Sequence, residues 1–114
     1  MRLVLKWEDI KGNKYVLGIL EKNATKYMFN LNDEGYKEAL KNGCAGIGIL
    51  GKESQEADVL FQFFRERIPG KENPRLKLFM QRFDLEEYDD MELLRRSKAI
   101  VNTDRFYLEE KIEK

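Results

Sequence analysis

Residues 3–31 read LVLKWEDIKGNKYVLGILEKNATKYMFNL, and the spacing of apolar positions in this stretch decides the fold class. Leu3, Leu5 and Trp7 alternate with Val4 and Lys6, the two-residue period of a strand that buries one face. Asp9-Ile10-Lys11-Gly12-Asn13 then supplies turn residues, and Gly12 and Asn13 both tolerate positive φ. A second strand is expected from Tyr15 to Leu20, a turn at Asn23-Ala24, and a third strand from Thr25 to Leu31. Three short strands joined by tight turns make an antiparallel meander.

Beyond Leu31 the pattern changes. Asn32 or Asp33 is placed to cap a helix running through Tyr36, Ala39 and Leu40 and stopping at Asn42-Gly43. Gly35 weakens that helix. Residues 43–51 hold four glycines among small apolar side chains and read as a buried strand or a tight connection. Asp58 is the expected cap of a second helix, with Leu60, Phe63, Phe64 and Arg67 on one face before Pro69-Gly70 ends it. Leu76, Phe79, Met80 and Phe83 follow the i, i+3, i+4, i+7 rule, the strongest amphipathic signal in the chain. Tyr88 to Leu94 predicts a further short helix, and Arg105 to Leu108 a closing strand with Phe106 and Leu108 on one face. The expected fold is α+β: a small antiparallel or mixed sheet of about four to five strands with about three to four short helices. Residues 1–110 form one domain, and residues 111–114 are expected to fray.

Bulk composition narrows the function. At 114 residues the chain has room for one core, and 42% apolar residues are enough to build it. Charged residues reach 37%, above the usual ~25%, yet 21 basic side chains balance 21 acidic ones. Zero net charge argues against a protein built mainly to coat nucleic acid, whose affinity rests on neutralised phosphates. With no apolar run of ~18 residues and no leader pattern, neither a membrane span nor a signal peptide is expected. A single cysteine, Cys44, cannot form an internal disulfide, so a reducing cytoplasm is the expected compartment.

Few groups could make or break bonds. Histidine is absent, which removes the commonest general base and metal ligand, and one cysteine cannot build a zinc site. No cofactor, metal or catalytic residue is expected. Gly46-Ile47-Gly48-Ile49-Leu50-Gly51-Lys52-Glu53 matches seven positions of a phosphate-binding Walker loop, but Glu53 stands where a hydroxyl should hold Mg²⁺. A glycine-rich segment packed close to another backbone is the preferred reading. Charge is segregated downstream: Arg65, Arg67, Lys71, Arg75, Lys77 and Arg82 precede Asp84, Glu86, Glu87, Asp89, Asp90 and Glu92. The two blocks either pair with each other and with water or recognise a partner electrostatically. Arg65, Arg67, Lys71, Arg75, Lys77 and Tyr88 are the candidate partner-binding residues. Among the aromatics, Trp7, Tyr27, Tyr36 and Tyr88 are those whose exposure would separate core from interface.

Two stretches resemble a known family. Asp58-Val59-Leu60-Phe61-Gln62-Phe63-Phe64-Arg65-Glu66-Arg67-Ile68-Pro69, with Arg75 beyond, is similar to the "LF..FF..R.P" block of HipA-like amino-terminal domains and of bacterial segments that precede HIRAN domains. Asp90-Met91-Glu92-Leu93-Leu94-Arg95-Arg96-Ser97, followed by Asn102-Thr103-Asp104-Arg105-Phe106, resembles the later "LL.RS…TD.(F/L)" block. With Leu3 to Trp7 and Gly18-Ile19-Leu20, the similarity extends over most of the chain. It implies a mixed sheet with helices, and a non-catalytic regulatory subunit that restrains a HipA-like serine/threonine kinase, as in three-component toxin–antitoxin systems. No kinase catalytic-loop motif is recognisable here, and the HIRAN part has no counterpart. The chain departs from the pattern around Ser97-Lys98-Ala99, where a glycine pair is usual, which leaves the kinase as partner open. Two other readings stand beside it. One is a nucleic-acid accessory module using the basic residues from Arg65 to Arg82 on phosphate. The other is a small mobile-element inhibitor of a host defence nuclease.

Overall fold

A computed structural model describes residues 1–111. The strands are β1 (Arg2–Glu8), β2 (Lys14–Asn23), β3 (Lys26–Leu31), β4 (Gln55–Ala57) and β5 (Phe106–Glu110). The helices are α1 (Asp33–Lys41), α2 (Gln62–Arg65), α3 (Leu76–Arg82) and α4 (Asp90–Ser97). They form one five-stranded sheet in the order β4-β3-β2-β1-β5, and every neighbouring pair is antiparallel. The fold is therefore α+β, and of the two sheet types expected the antiparallel one is present.

The β1–β2 turn is built by Asp9, which the sequence pattern marks only as a turn former. Its side chain is buried and accepts from the backbone N–H of Lys11 (2.9 Å) and Asn13 (2.8 Å), from Asn13 Nδ2 (3.1 Å) and from the Tyr15 hydroxyl (2.9 Å). Burial alone would raise the Asp9 pKa, but these donors outweigh it and hold the carboxyl below its ordinary value. Further along, the register shifts. Leu5 faces Gly18 while Lys6 faces Val16, so Leu17 is the extra residue of a bulge and turns fully into the core. Gly18 has no room for a side chain, because a Cβ there would lie 2.4 Å from the Phe29 ring.

Alternate sheet positions and the helices share one core. Leu3, Leu5, Leu20, Phe29 and Leu108 come from the sheet, Ala39 from α1, Phe64 from α2, and Met91, Leu93 and Leu94 from α4. Asn32 is the cap of α1, accepting from Gly35 N–H at 3.0 Å. Gly35 is no defect in that helix: a Cβ would sit 1.9 Å from the Val16 carbonyl oxygen, so only glycine lets α1 lie against the β2 backbone.

Of the two readings of residues 43–51 the tight connection is present, ending in a 3-10 turn over Gly48–Gly51. Two helix expectations need correction. The second helix is one turn, starting after extended Phe61, and Asp58 caps nothing; its exposed carboxylate pairs with Lys26. The helix expected from Tyr88 to Leu94 begins at Asp90, with Asp89 accepting from Glu92 N–H, so Tyr88 lies outside it. Lys111 is tied to the sheet by its N–H to Arg2 O at 2.9 Å, and the rest of the expected frayed tail, 112–114, lies outside the described residues.

The free side of edge strand β5 is largely occupied. Leu108 N–H donates to Lys98 O (2.8 Å), Phe106 N–H to the Asp104 carboxylate (3.1 Å), and Phe106 O accepts from Arg67 (3.1 Å). Such covering removes a template for unwanted strand pairing. It depends on Lys98 and Ala99 after α4, both in the left-handed region at φ 58° and 55°.

Candidate partner-binding site

Arg67 belongs to the interior and not to a binding surface. Only 8% of the residue is exposed. Its Nη1 and Nη2 donate to the two carboxylate oxygens of Asp104 at 2.8 and 2.7 Å, and Nε donates to Ala99 O at 2.7 Å. The rings of Phe63 and Phe106 lie 5.3 and 5.7 Å from the guanidinium. A planar fork matched to a carboxylate can satisfy a buried cation in this way. Burial would raise the Asp104 pKa, but the Arg67 bonds and the Phe106 N–H outweigh it and lower it. Asp104 is the partner that sequence reasoning missed. Its only signal was its place in the second resemblance block.

Without Arg67, the remaining basic candidates stay on the surface. Arg65, Lys71, Arg75 and Lys77 are exposed. Among the described residues no ion pair joins the basic block to the acidic block. Three of the six acids find other work: Asp89 caps α4, Asp90 accepts from Tyr27 OH and Met91 N–H, and Glu92 binds Arg95 and Arg96. The Arg95 bond is the first cause of a Glu92 pKa near 2, although burial opposes it. Arg96 turns back to the carbonyls of Phe83 and Asp84, closing the loop into α4.

The amphipathic face read from Leu76, Phe79, Met80 and Phe83 covers the edge of the core: Leu76, Phe79 and Met80 pack against the core cluster without being fully buried. Helix α3 contains no buried residue; those four side chains are half-buried, and Leu78 is 68% exposed. The helix borders a groove of about 630 Å³. Leu76, Met80 and Leu85 give it apolar lining, Lys71 and Lys77 contribute positive charge, and Asp84 and Glu86 negative charge. Asp84 is in the left-handed region at φ 58°, at the turn that carries the chain from α3 towards α4.

A second cleft, of about 350 Å³, shares Lys71 with the groove and brings in Arg65 and Tyr88. Lys71 Nζ sits 5.3 Å above the Tyr88 ring, a contact worth ~0.5–1 kcal/mol at an exposed site. Burial, then the charges of Asp90 and Asp89, raise the Tyr88 pKa. The structure thus gathers Arg65, Lys71, Lys77 and Tyr88 around two adjoining hollows. Arg75 is exposed but lines neither, and Arg67 lies inside.

Of the other aromatics, Trp7 and Tyr27 are core residues. Tyr36 is half-buried, with its hydroxyl accepting from Ile47 N–H at 3.2 Å and its ring against Gly51. The Walker-like residues therefore pack on α1, and their chain continues into a 3-10 turn and β4 rather than a helix that could present its N-terminus to phosphate. Among the described residues no group of three or more acidic, cysteine or histidine side chains is placed to hold a metal ion. No helix of the described residues is long and apolar enough to cross a membrane. Comparison of the chain with family models, curated proteins and solved structures finds no match.

Proposed function

We propose that this chain is a non-catalytic regulatory module that binds another protein in the groove beside α3. The observation that carries the reading is the composition of that groove: an apolar lining with both signs of charge, beside a helix whose apolar side chains the core covers only in part. Protein surfaces offer both signs together with apolar anchors. A nucleic-acid backbone offers negative charge alone, and Asp84 and Glu86 would repel it. This favours a protein partner over the nucleic-acid reading.

The partner class follows from the resemblance to HipA-like amino-terminal domains: a HipA-like serine/threonine kinase, restrained in the manner of an antitoxin. One feature of the backbone supports it. The family's usual glycine pair falls around Ser97-Lys98-Ala99, and within that stretch Lys98 and Ala99 have φ of 58° and 55°, a conformation glycine adopts without strain. The place of divergence is thus one where the backbone still has a glycine-like shape.

Co-expression with a kinase encoded beside this chain tests the proposal. The two should co-purify, and Met80→Glu with Lys77→Glu should reduce recovery at least tenfold. Recovery of no kinase by the unaltered chain refutes the assignment.

A further inference from the structure

We infer that the cleft between Arg65, Lys71 and Tyr88 is an anion pocket that receives a carboxylate or phosphoryl-bearing side chain of the protein partner. The inference rests on the protein-binding reading above and adds the chemistry of the contact.

Four charged groups line this cleft: Arg65, Lys71, Asp58 and Asp90. Both acids are already engaged. Asp58 pairs with Lys26, which lies outside the cleft lining. Asp90 accepts the Tyr27 hydroxyl at 2.6 Å through one oxygen and Met91 N–H at 2.7 Å through the other. The two cations have no such anchors. Among the described residues Arg65 makes no side-chain hydrogen bond or ion pair, and Lys71 has only the Tyr88 ring. With Asp58 offset by Lys26, the cleft retains one net positive charge.

Geometry adds selectivity. The guanidinium of Arg65 can take an oxyanion in two-pronged fashion, and Lys71 adds a point charge held over an aromatic ring. Leu60 and the 62%-exposed Val59 provide an apolar lip. An acidic residue followed by an aliphatic one fits this combination. Because Lys71 lines both hollows, a segment lying in the α3 groove can place its acidic residue here without leaving the surface.

The test uses the intact ¹⁵N-labelled protein and three blocked dipeptides: N-acetyl-Asp-Leu-amide, its phosphoserine counterpart and its lysine counterpart. Either acidic probe, or both, should shift the amide resonances of residues 65–68, 70, 71 and 88, and comparison of the two shows which oxyanion is preferred. The lysine probe should shift none of them. Arg65→Glu/Lys71→Glu, two exposed positions, should weaken the acidic probes at least tenfold. Equal shifts from the lysine probe, shifts centred elsewhere, or tighter binding of hexathymidylate at the same residues would overturn the assignment. Co-purification separates this proposal from its parent. If the double variant recovers the kinase as well as the unaltered chain does, the pocket fails and the protein-binding reading stands. If the unaltered chain recovers none while the acidic probes bind, the pocket stands and the kinase assignment fails.

Discussion

Replacing Asp104 by alanine should unfold the protein far more easily than any other single loss of an ion pair seen here. The Arg67 side chain is 5% exposed, and the change removes two of its four hydrogen bonds together with the bond to Phe106 N–H. Breaking a buried pair typically costs ~3–5 kcal/mol, because a charge is left without its partner. Asp104 itself is 29% exposed, so water reaches the vacated side. Two carbonyls and two rings still hold the cation. The expected loss is therefore at the low end, about 3 kcal/mol, against a total near ~5–15 kcal/mol for a small domain. Arg67→Met should cost a similar amount, since it leaves Ala99 O and Phe106 O unbonded at ~1–3 kcal/mol each. In the double variant the losses should fall short of additivity by at least ~1.5 kcal/mol. Urea unfolding reads this directly: with m of ~1–2 kcal/mol/M, the single-variant midpoint falls by ~1.5–3 M. A loss below ~1 kcal/mol for Asp104→Ala, or strict additivity, refutes the idea that this pair ties the turn after α2 to the segment leading into β5.

Other outcomes follow from the same packing. Gly35→Ala should destabilise by more than ~1 kcal/mol despite alanine's better helix propensity, because its Cβ would meet Val16 O; a gain in urea midpoint would contradict that. Lys98→Gly should stabilise by ~0.5–1 kcal/mol, the left-handed strain relieved at φ 58° exceeding the added chain entropy, and thermal melting gives the sign. Asp9, Asp104 and Glu109 have lowered folded-state pKa values and Glu92 titrates near 2, so each contributes stability above its unfolded value that is lost as pH falls through its folded one. Urea midpoints should then hold level from pH ~8 to ~5, since no histidine titrates there, and fall from pH ~4.5 towards 2. A marked change between pH 6 and 8 would contradict this.

The strands were legible because alternation survives wherever one face is buried: Leu3, Leu5 and Trp7 could lie in no other way. What alternation cannot show is the bulge at Leu17, since an extra residue shifts the period without changing composition. The α3 pattern was read correctly as a helix, but periodicity reports an apolar face and not what covers it. Arg67 looked like its neighbours Arg65 and Lys71 in sequence. Only the approach of Asp104, 37 residues away, distinguishes it, and no local rule encodes that distance. Gly35 likewise counted against its helix until the β2 backbone beside it was known.

The central claim is that a protein occupies the groove beside α3, and site-specific photo-crosslinking tests it most directly. A benzophenone side chain replacing exposed Lys77 should, in the native cell, give one discrete protein adduct. That adduct should vanish with Met80→Glu, and the same probe at exposed Ile10, on the β1–β2 turn, should give none. Adducts to nucleic acid alone, or a protein adduct that Met80→Glu leaves unchanged, would contradict the account.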